Sequence, residues 1–122
     1  MPYLEIATNI SRDKINTELL IELSKCLTKS IGKPENYCEV RVIPDQLMTF
    51  GGTTETCAIA RLMSIGNLGV KENKKHSAAI SEFVEKNLQI PRSRMYITFE
   101  DRPASEVGYD GTTFHEILGL KK

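Results

Sequence analysis

The chain has no tryptophan, only two histidines and only three cysteines, and its charges cancel, with 16 Lys plus Arg against 16 Asp plus Glu. Each shortage removes a class of function. A neutral balance supplies no bulk field toward nucleic acid or a membrane surface, and it weakens the repulsion that opposes self-association. His76 and His115 are too isolated for a metal site, so no metal is expected. Cys26, Cys38 and Cys57 are odd in number and lack CxxC or CxxH spacing. They read as free thiols in or near the core, not as a disulfide framework. No apolar run approaches the roughly 20 residues of a membrane span, so no membrane insertion is expected. The N-terminus lacks the basic flank and continuous apolar core of a secretory signal. A cytoplasmic protein is expected, any secretion using a route without a signal peptide.

The glycine-rich stretch "FGGTTETCAIARLMSIGNLG" matches neither GxxxxGK[ST] nor GxGxxG, so no phosphate-bearing cofactor is expected. Its glycines read as permitting tight turns, with Gly66 letting backbone N–H groups face a ligand. The cluster "KENKKH" reads as the solvated end of a helix rather than as a heparin or nucleic-acid site.

What is present fits one globular domain over residues 1–122, with 40% apolar and 26% charged residues. Ile15, Leu19, Leu20, Leu23, Leu27 and Ile31 recur at helical spacing after Ser11, a plausible N-cap. Gly32 fits the C-terminal cap and Pro34 blocks continuation. "YCEVRVIP" alternates as a strand, with Cys38, Val40 and Val42 on one face. The second half replays this order. "TCAIARLMSI" reads as a strand and Lys71 to Leu88 as a helix with Ala79, Ile80, Phe83, Val84 and Leu88 inward. "QIP" stops that helix, and "RMYITFED" follows as a strand. The offset that aligns Pro34 with Pro91 also aligns Leu23 with Ile80, Leu27 with Val84 and Ile31 with Leu88. The expected fold is therefore α+β: two βαβ repeats, about 1–57 and 58–114, forming a four-stranded mixed sheet with two helices on one face, and a tail at 115–122. The helix-free face carries apolar residues beyond strict alternation, as in strands buried on both faces. Subunits in a closed ring would cover it; the alternative is a monomer with a wet sheet face.

Two residues draw chemical interest. Pro2 opens the first strand, where a missing N–H is tolerated. If Met1 is removed, Pro2 also becomes a secondary amine, a group whose unperturbed pKa is about 7.7–8.0 and falls on burial or beside a cation. Such a base titrates near the working pH, as proton abstraction requires. Lys33, between Gly32 and Pro34, is favourable at a helix C-terminus in its own right; its functional reading is a carboxylate anchor beside Pro2.

Fragments spread along the chain carry a family resemblance: "MP" at the start, "TN" at Thr8–Asn9, "GKP" at Gly32–Pro34, Tyr37, "PDQLM", "FGG", "SIG" at Ser64–Gly66, "YI" at Tyr96–Ile97, "VG" at Val107–Gly108 and "TF" at Thr113–Phe114. In this order and spacing the chain resembles, nearly end to end, the macrophage migration inhibitory factor / D-dopachrome tautomerase family of the tautomerase superfamily. The resemblance implies a homotrimer in which Pro2, freed from Met1, is the general base of a keto–enol tautomerase. It implies that Lys33 and the backbone at Ile65 hold a substrate carboxylate, with Ser64 and Thr98 also at substrate-binding positions. Tyr96 would reach from a neighbouring subunit to the carbonyl oxygen, and Tyr37, Val107, Tyr109 and Phe114 would line an apolar mouth. Small aromatic α-keto acids of the phenylpyruvate type, and dopachrome-like molecules, are the implied substrates. Thr98 stands where the inhibitory-factor branch has Asn, Tyr109 stands for a Trp, and Ala60 breaks a CxxC that would begin at Cys57. The resemblance also implies a cytokine-like ligand for a cell-surface receptor. Arg12 and Asp45 match a charged receptor-binding pair there, although two solvated surface charges need no such explanation.

Overall fold

The computed structural model describes residues 2–120. Four strands, β1 (Tyr3–Thr8), β2 (Glu39–Ile43), β3 (Ala58–Ser64) and β4 (Met95–Asp101), form one mixed sheet in the order β2-β1-β3-β4. β1 and β2 are parallel and joined through helix α1 (Thr17–Ile31). β3 and β4 are parallel and joined through α2 (Val70–Leu88). The two βαβ units meet where β1 pairs antiparallel with β3. A two-residue hairpin, β5 (Gly108–Tyr109) and β6 (Thr112–Thr113), and a last helical turn, α3 (Phe114–Ile117), follow β4.

Alternation along the strands sorts their side chains. Leu4, Ile6, Ala58, Ala60 and Leu62 are buried against Leu23, Leu27 and Ile31 of α1 and Ile80, Val84 and Leu88 of α2. Both helices thus present the apolar stripe that their spacing predicts. The opposite sheet face is less apolar than expected. Arg61 and Glu100 form an ion pair there at 2.7 Å, and Glu5 lies 3.7 Å from Arg41, while Ile59 and Tyr96 stay exposed on the same face. Ordinary alternation accounts for most of β3; only Leu62, Met63 and Ser64, at its end, are buried in succession.

α1 begins later than expected. Ser11 precedes a short 3-10 turn at Arg12–Lys14, and the N-cap of α1 is Asn16, whose side-chain oxygen accepts from the Leu19 N–H at 2.8 Å. Ile15 explains the break: it adopts extended backbone and is buried, so a helix running through it would lose that core contact. The C-terminal stops follow expectation. Gly32 takes a left-handed conformation (φ 73°) and its N–H bonds Thr28. In the second unit Gln89 takes the same role at φ 58°, at a steric cost of about 1–2 kcal/mol that glycine escapes. Pro34 and Pro91 then adopt nearly the same extended backbone, and each leads into a 3-10 turn before the next strand.

"KENKKH" is not wholly solvated: His76 is 1% exposed and packs in the interior, although the lysines before it are exposed. Ala79 and Phe83 are half-buried at the edge of the helical stripe.

Most of the side-chain hydrogen bonds that hold the long connection from β2 to β3 come from two residues. Asn9 donates to the carbonyls of Thr54 and Glu55 and accepts from the Cys57 N–H. Arg94 donates to the carbonyls of Phe50, Thr53, Glu55 and Thr56, and its guanidinium lies 5.6 Å from the Phe50 ring centre. Hydrogen bonds from charged donors are worth about 1.5–3 kcal/mol, and the loss of an N-cap typically costs ~1 kcal/mol. Arg94→Ala is therefore expected to lower urea stability more than Asn16→Ala does. It should also speed amide exchange across residues 50–57, whereas Asn16→Ala should speed it only in the first turn of α1.

Candidate active site

β1 pairs antiparallel with β3, so the start of β1 lies beside the end of β3: Tyr3 faces Met63, and Pro2 continues one residue beyond that pair. Because β1 and β2 are parallel, the start of β2 arrives at the same end of the sheet, and the Pro2 carbonyl accepts from the Glu39 N–H at 3.1 Å. The parallel β3–β4 pair brings the end of β4 there too, with Ser64 opposite Asp101 and the Ser64 carbonyl accepting from the Arg102 N–H at 3.0 Å. Topology alone gathers Pro2, the Tyr37 turn, Ser64 and the segment after β4 at one end of the sheet.

A cleft of about 690 Å³ opens at this end. Pro2 borders it and is fully buried. Tyr37, Val107, Tyr109 and Phe114 border it together. Their rings are mutually packed. Tyr109 stacks on Phe114 at 5.3 Å between ring centres, and Tyr37 meets each of them edge-on, at 5.4 and 5.6 Å. The hairpin presents Tyr109 because Asp110 and Gly111 both take left-handed backbone, the conformation that a two-residue type I′ turn demands. The Phe114 N–H closes the segment by bonding the Val107 carbonyl at 3.0 Å.

The rim of the cleft is charged. Arg61 donates twice to Glu100, at 2.7 and 3.0 Å, and this bond holds the Arg61 guanidinium above its already high pKa range. Arg102 reaches Glu106 at 3.4 Å and Glu100 at 3.8 Å. Neither the arginines nor Met63, which also borders the cleft, was singled out from sequence. The alternation of β3, with Arg61 two residues before Met63, was the available signal.

Lys33 and Ile65 meet next to this cleft without bordering it. The half-buried Lys33 ammonium donates to the Ile65 carbonyl at 3.1 Å. An ammonium has three donors, and this bond uses one. Ser64 is fully buried and its hydroxyl has no partner among the described residues. Tyr96 and Thr98 stand elsewhere. Tyr96 pairs with Ile59 and Thr98 with Arg61, on the face away from the helices. Tyr96 is 68% exposed and rests on Phe50 at 5.1 Å. Five strand positions separate Ile59 from Ser64, roughly 17 Å at about 3.3 Å per residue, so Tyr96 does not share the Pro2 cleft of its own chain. Arg12 and Asp45 occupy adjoining exposed loops: the Asp45 N–H bonds the Ile10 carbonyl at 2.8 Å, and Arg12 donates to the Ile15 carbonyl at 2.7 Å.

The three cysteines are free thiols. Cys57 is buried, and burial, with Glu82 nearby, pushes the Cys26 thiol pKa up. No helix among the described residues is long and apolar enough to cross a membrane.

The family model for macrophage migration inhibitory factor matches residues 1–115. The macrophage migration inhibitory factor of Xenopus tropicalis is 40% identical over 114 residues, covering 93% of this chain and 99% of the relative. The homologue of Brugia malayi shows the same identity and coverage. Among solved structures, the macrophage migration inhibitory factor of Trichinella spiralis superposes with a TM-score of 0.89 at 35% identity, covering 92% of this chain and 99% of that one. The homologue from Prochlorococcus marinus gives 0.85 at 36% identity, covering 92% and 98%. With the four-stranded mixed sheet, the two βαβ units and the matched length all agreeing, the chain belongs to the macrophage migration inhibitory factor family.

Proposed function

We propose that the protein is a keto–enol tautomerase acting on small aromatic α-keto acids, with Pro2 as the general base. The observation that carries this reading is the position of Pro2: a proline, whose nitrogen becomes a secondary amine once it is the first residue, buried and bordering a cleft walled by three packed aromatic rings. Once Met1, which lies outside the described residues, is removed, the Pro2 nitrogen takes a proton from the carbon next to the keto group. The electron pair moves to the carbonyl oxygen, which gains a proton, and the enol forms. The substrate ring packs among Tyr37, Tyr109 and Phe114, with Val107 as a further binding position; Thr98, which does not border this cleft, would contribute, like Tyr96, from another copy. The Lys33 ammonium and the backbone at Ile65, next to Ser64, hold the carboxylate. A positioned base contributes typically 10²–10⁴-fold to proton transfer.

The reading includes an oligomer, taken as a trimer. Tyr96, the proposed donor to the carbonyl oxygen, lies too far from the Pro2 of its own chain and must come from another copy. Three further features support assembly. Among the described residues, no strand pairs with the outer edges of β2 and β4. Leu47 projects fully into solvent. Ile59 and Tyr96 are exposed on the helix-free face.

A second reading is a cytokine-like ligand for a cell-surface receptor. The adjoining exposed loops that carry Arg12 and Asp45 favour it. Receptor binding retained by a Pro2-blocked protein and lost in Arg12→Ala/Asp45→Ala would support it; binding indifferent to both changes would count against it.

Two experiments test the enzyme. On protein with a verified N-terminus, Pro2→Gly or retention of Met1 is expected to lower phenylpyruvate turnover by about 10²-fold or more while circular dichroism stays unchanged; undiminished turnover rejects the mechanism. Mixing an inactive Pro2→Gly chain with an inactive Tyr96→Phe chain, after reversible dissociation, is expected to restore part of the activity, because some mixed sites hold both native residues. Failure to recover activity in verified mixed oligomers would mean that the two residues do not act across chains.

A further inference from the structure

His76 is a buried titratable group that the proposed reaction does not use. It comes from α2, is 1% exposed, and has both ring nitrogens engaged. Nε2 lies 2.9 Å from the carbonyl of Asn67. A carbonyl only accepts, so Nε2 carries the hydrogen. Nδ1 shares a hydrogen bond with the Ser30 hydroxyl, 2.7 Å away. The ring therefore ties α2 both to the end of α1 and to the turn after β3.

The ties continue to the anchor. The Asn67 side-chain amide donates to the Ile31 carbonyl, two residues before Lys33. Lys33 donates to the Ile65 carbonyl, two residues before Asn67. The circuit closes on itself: His76, Asn67, Ile31, Lys33, Ile65 and back to Asn67 along the chain. The turn it holds has no regular structure of its own. Gly66 and Asn67 both have left-handed backbone, at φ 80° and 58°, and beyond this circuit the turn gains the Gly66 N–H bond to Asp101 at 3.0 Å.

We propose that His76 is a positioning residue for the substrate carboxylate, setting through Asn67 the spacing of Lys33 and the Ile65 backbone. This rests on the tautomerase reading above and deepens it. A buried side chain that satisfies two polar groups leaves both unpaired when removed, and the local backbone shifts to recover them. The cost then falls on binding of the carboxylate, while the base and the aromatic mouth lie outside the circuit.

The test compares phenylpyruvate with its methyl ester, which lacks the anionic group. His76→Phe keeps a ring and loses both hydrogen bonds. It is expected to raise KM for the acid by about tenfold, close to one lost hydrogen bond, with kcat nearly unchanged and the ester unaffected. His76→Gln, which can still donate to the Asn67 carbonyl, should recover most of the loss. On a Lys33→Met background, His76→Phe should add nothing. Equal effects on acid and ester, or an unchanged KM for the acid, would overturn the proposal. Should His76→Phe fail to fold, Ser30→Ala removes only the Nδ1 partner and should shift the acid KM in the same direction; no shift there overturns it as well. If the wild-type protein turns over neither substrate, the reaction itself is wrong. Calorimetric binding of phenylacetate against phenylacetamide then decides the role of His76: selective weakening of the acid in His76→Phe supports it, and no selectivity overturns it.

Discussion

The antiparallel pairing of β1 with β3, at the centre of the sheet, fixes where everything else falls. Each βαβ unit is internally parallel and ends its crossover on an outer strand. Joined antiparallel, the units bring the beginning of one central strand against the end of the other. Pro2, the turn containing Tyr37, the segment Ser64–Asn67 and the chain after Asp101 therefore meet at a single end. A one-residue slip in that register would turn Leu4 and Ile6 out of the core and move Pro2 away from Ser64. The buried apolar face of β1 protects the site by forbidding that slip.

Much of this was legible in sequence because each unit is built from local signals that agree with one another. Helical spacing, a left-handed cap and a proline recur in order, and both proline positions take the same backbone in the structure. The start of α1 is not legible in the same way, because Ile15 fits the helical stripe numerically while its burial is achieved from extended backbone. His76 was grouped with the lysines before it, although it stands four residues before Ile80, eight before Val84 and twelve before Leu88 on the same helical stripe. A charged neighbourhood hid an inward position that periodicity alone would have found.

The site was legible in a different way. The residues around the mouth came from a family resemblance, and they do lie together: Tyr37, Val107, Tyr109 and Phe114 border one cleft with Pro2. No local pattern links Arg94 to the carbonyls of residues 50–56, or Asn67 to the end of α1. Those contacts join segments far apart in the chain and depend on how loops close over a finished sheet. Such loops tend to carry function because a rigid scaffold positions them.

The hairpin that carries Tyr109 contributes little to the core, since of the segment from Gly108 to Ile117 only Phe114 is buried. Its shape comes from its own Asp110–Gly111 turn. One wall of the cleft is thus a nearly self-contained module, fixed to the scaffold by the buried Phe114 ring and by the contacts of Tyr37 with Tyr109 and Phe114. Descendants of this chain could exchange that wall, and with it the size or polarity of the molecules admitted, while the load on the two helices and the sheet stays the same.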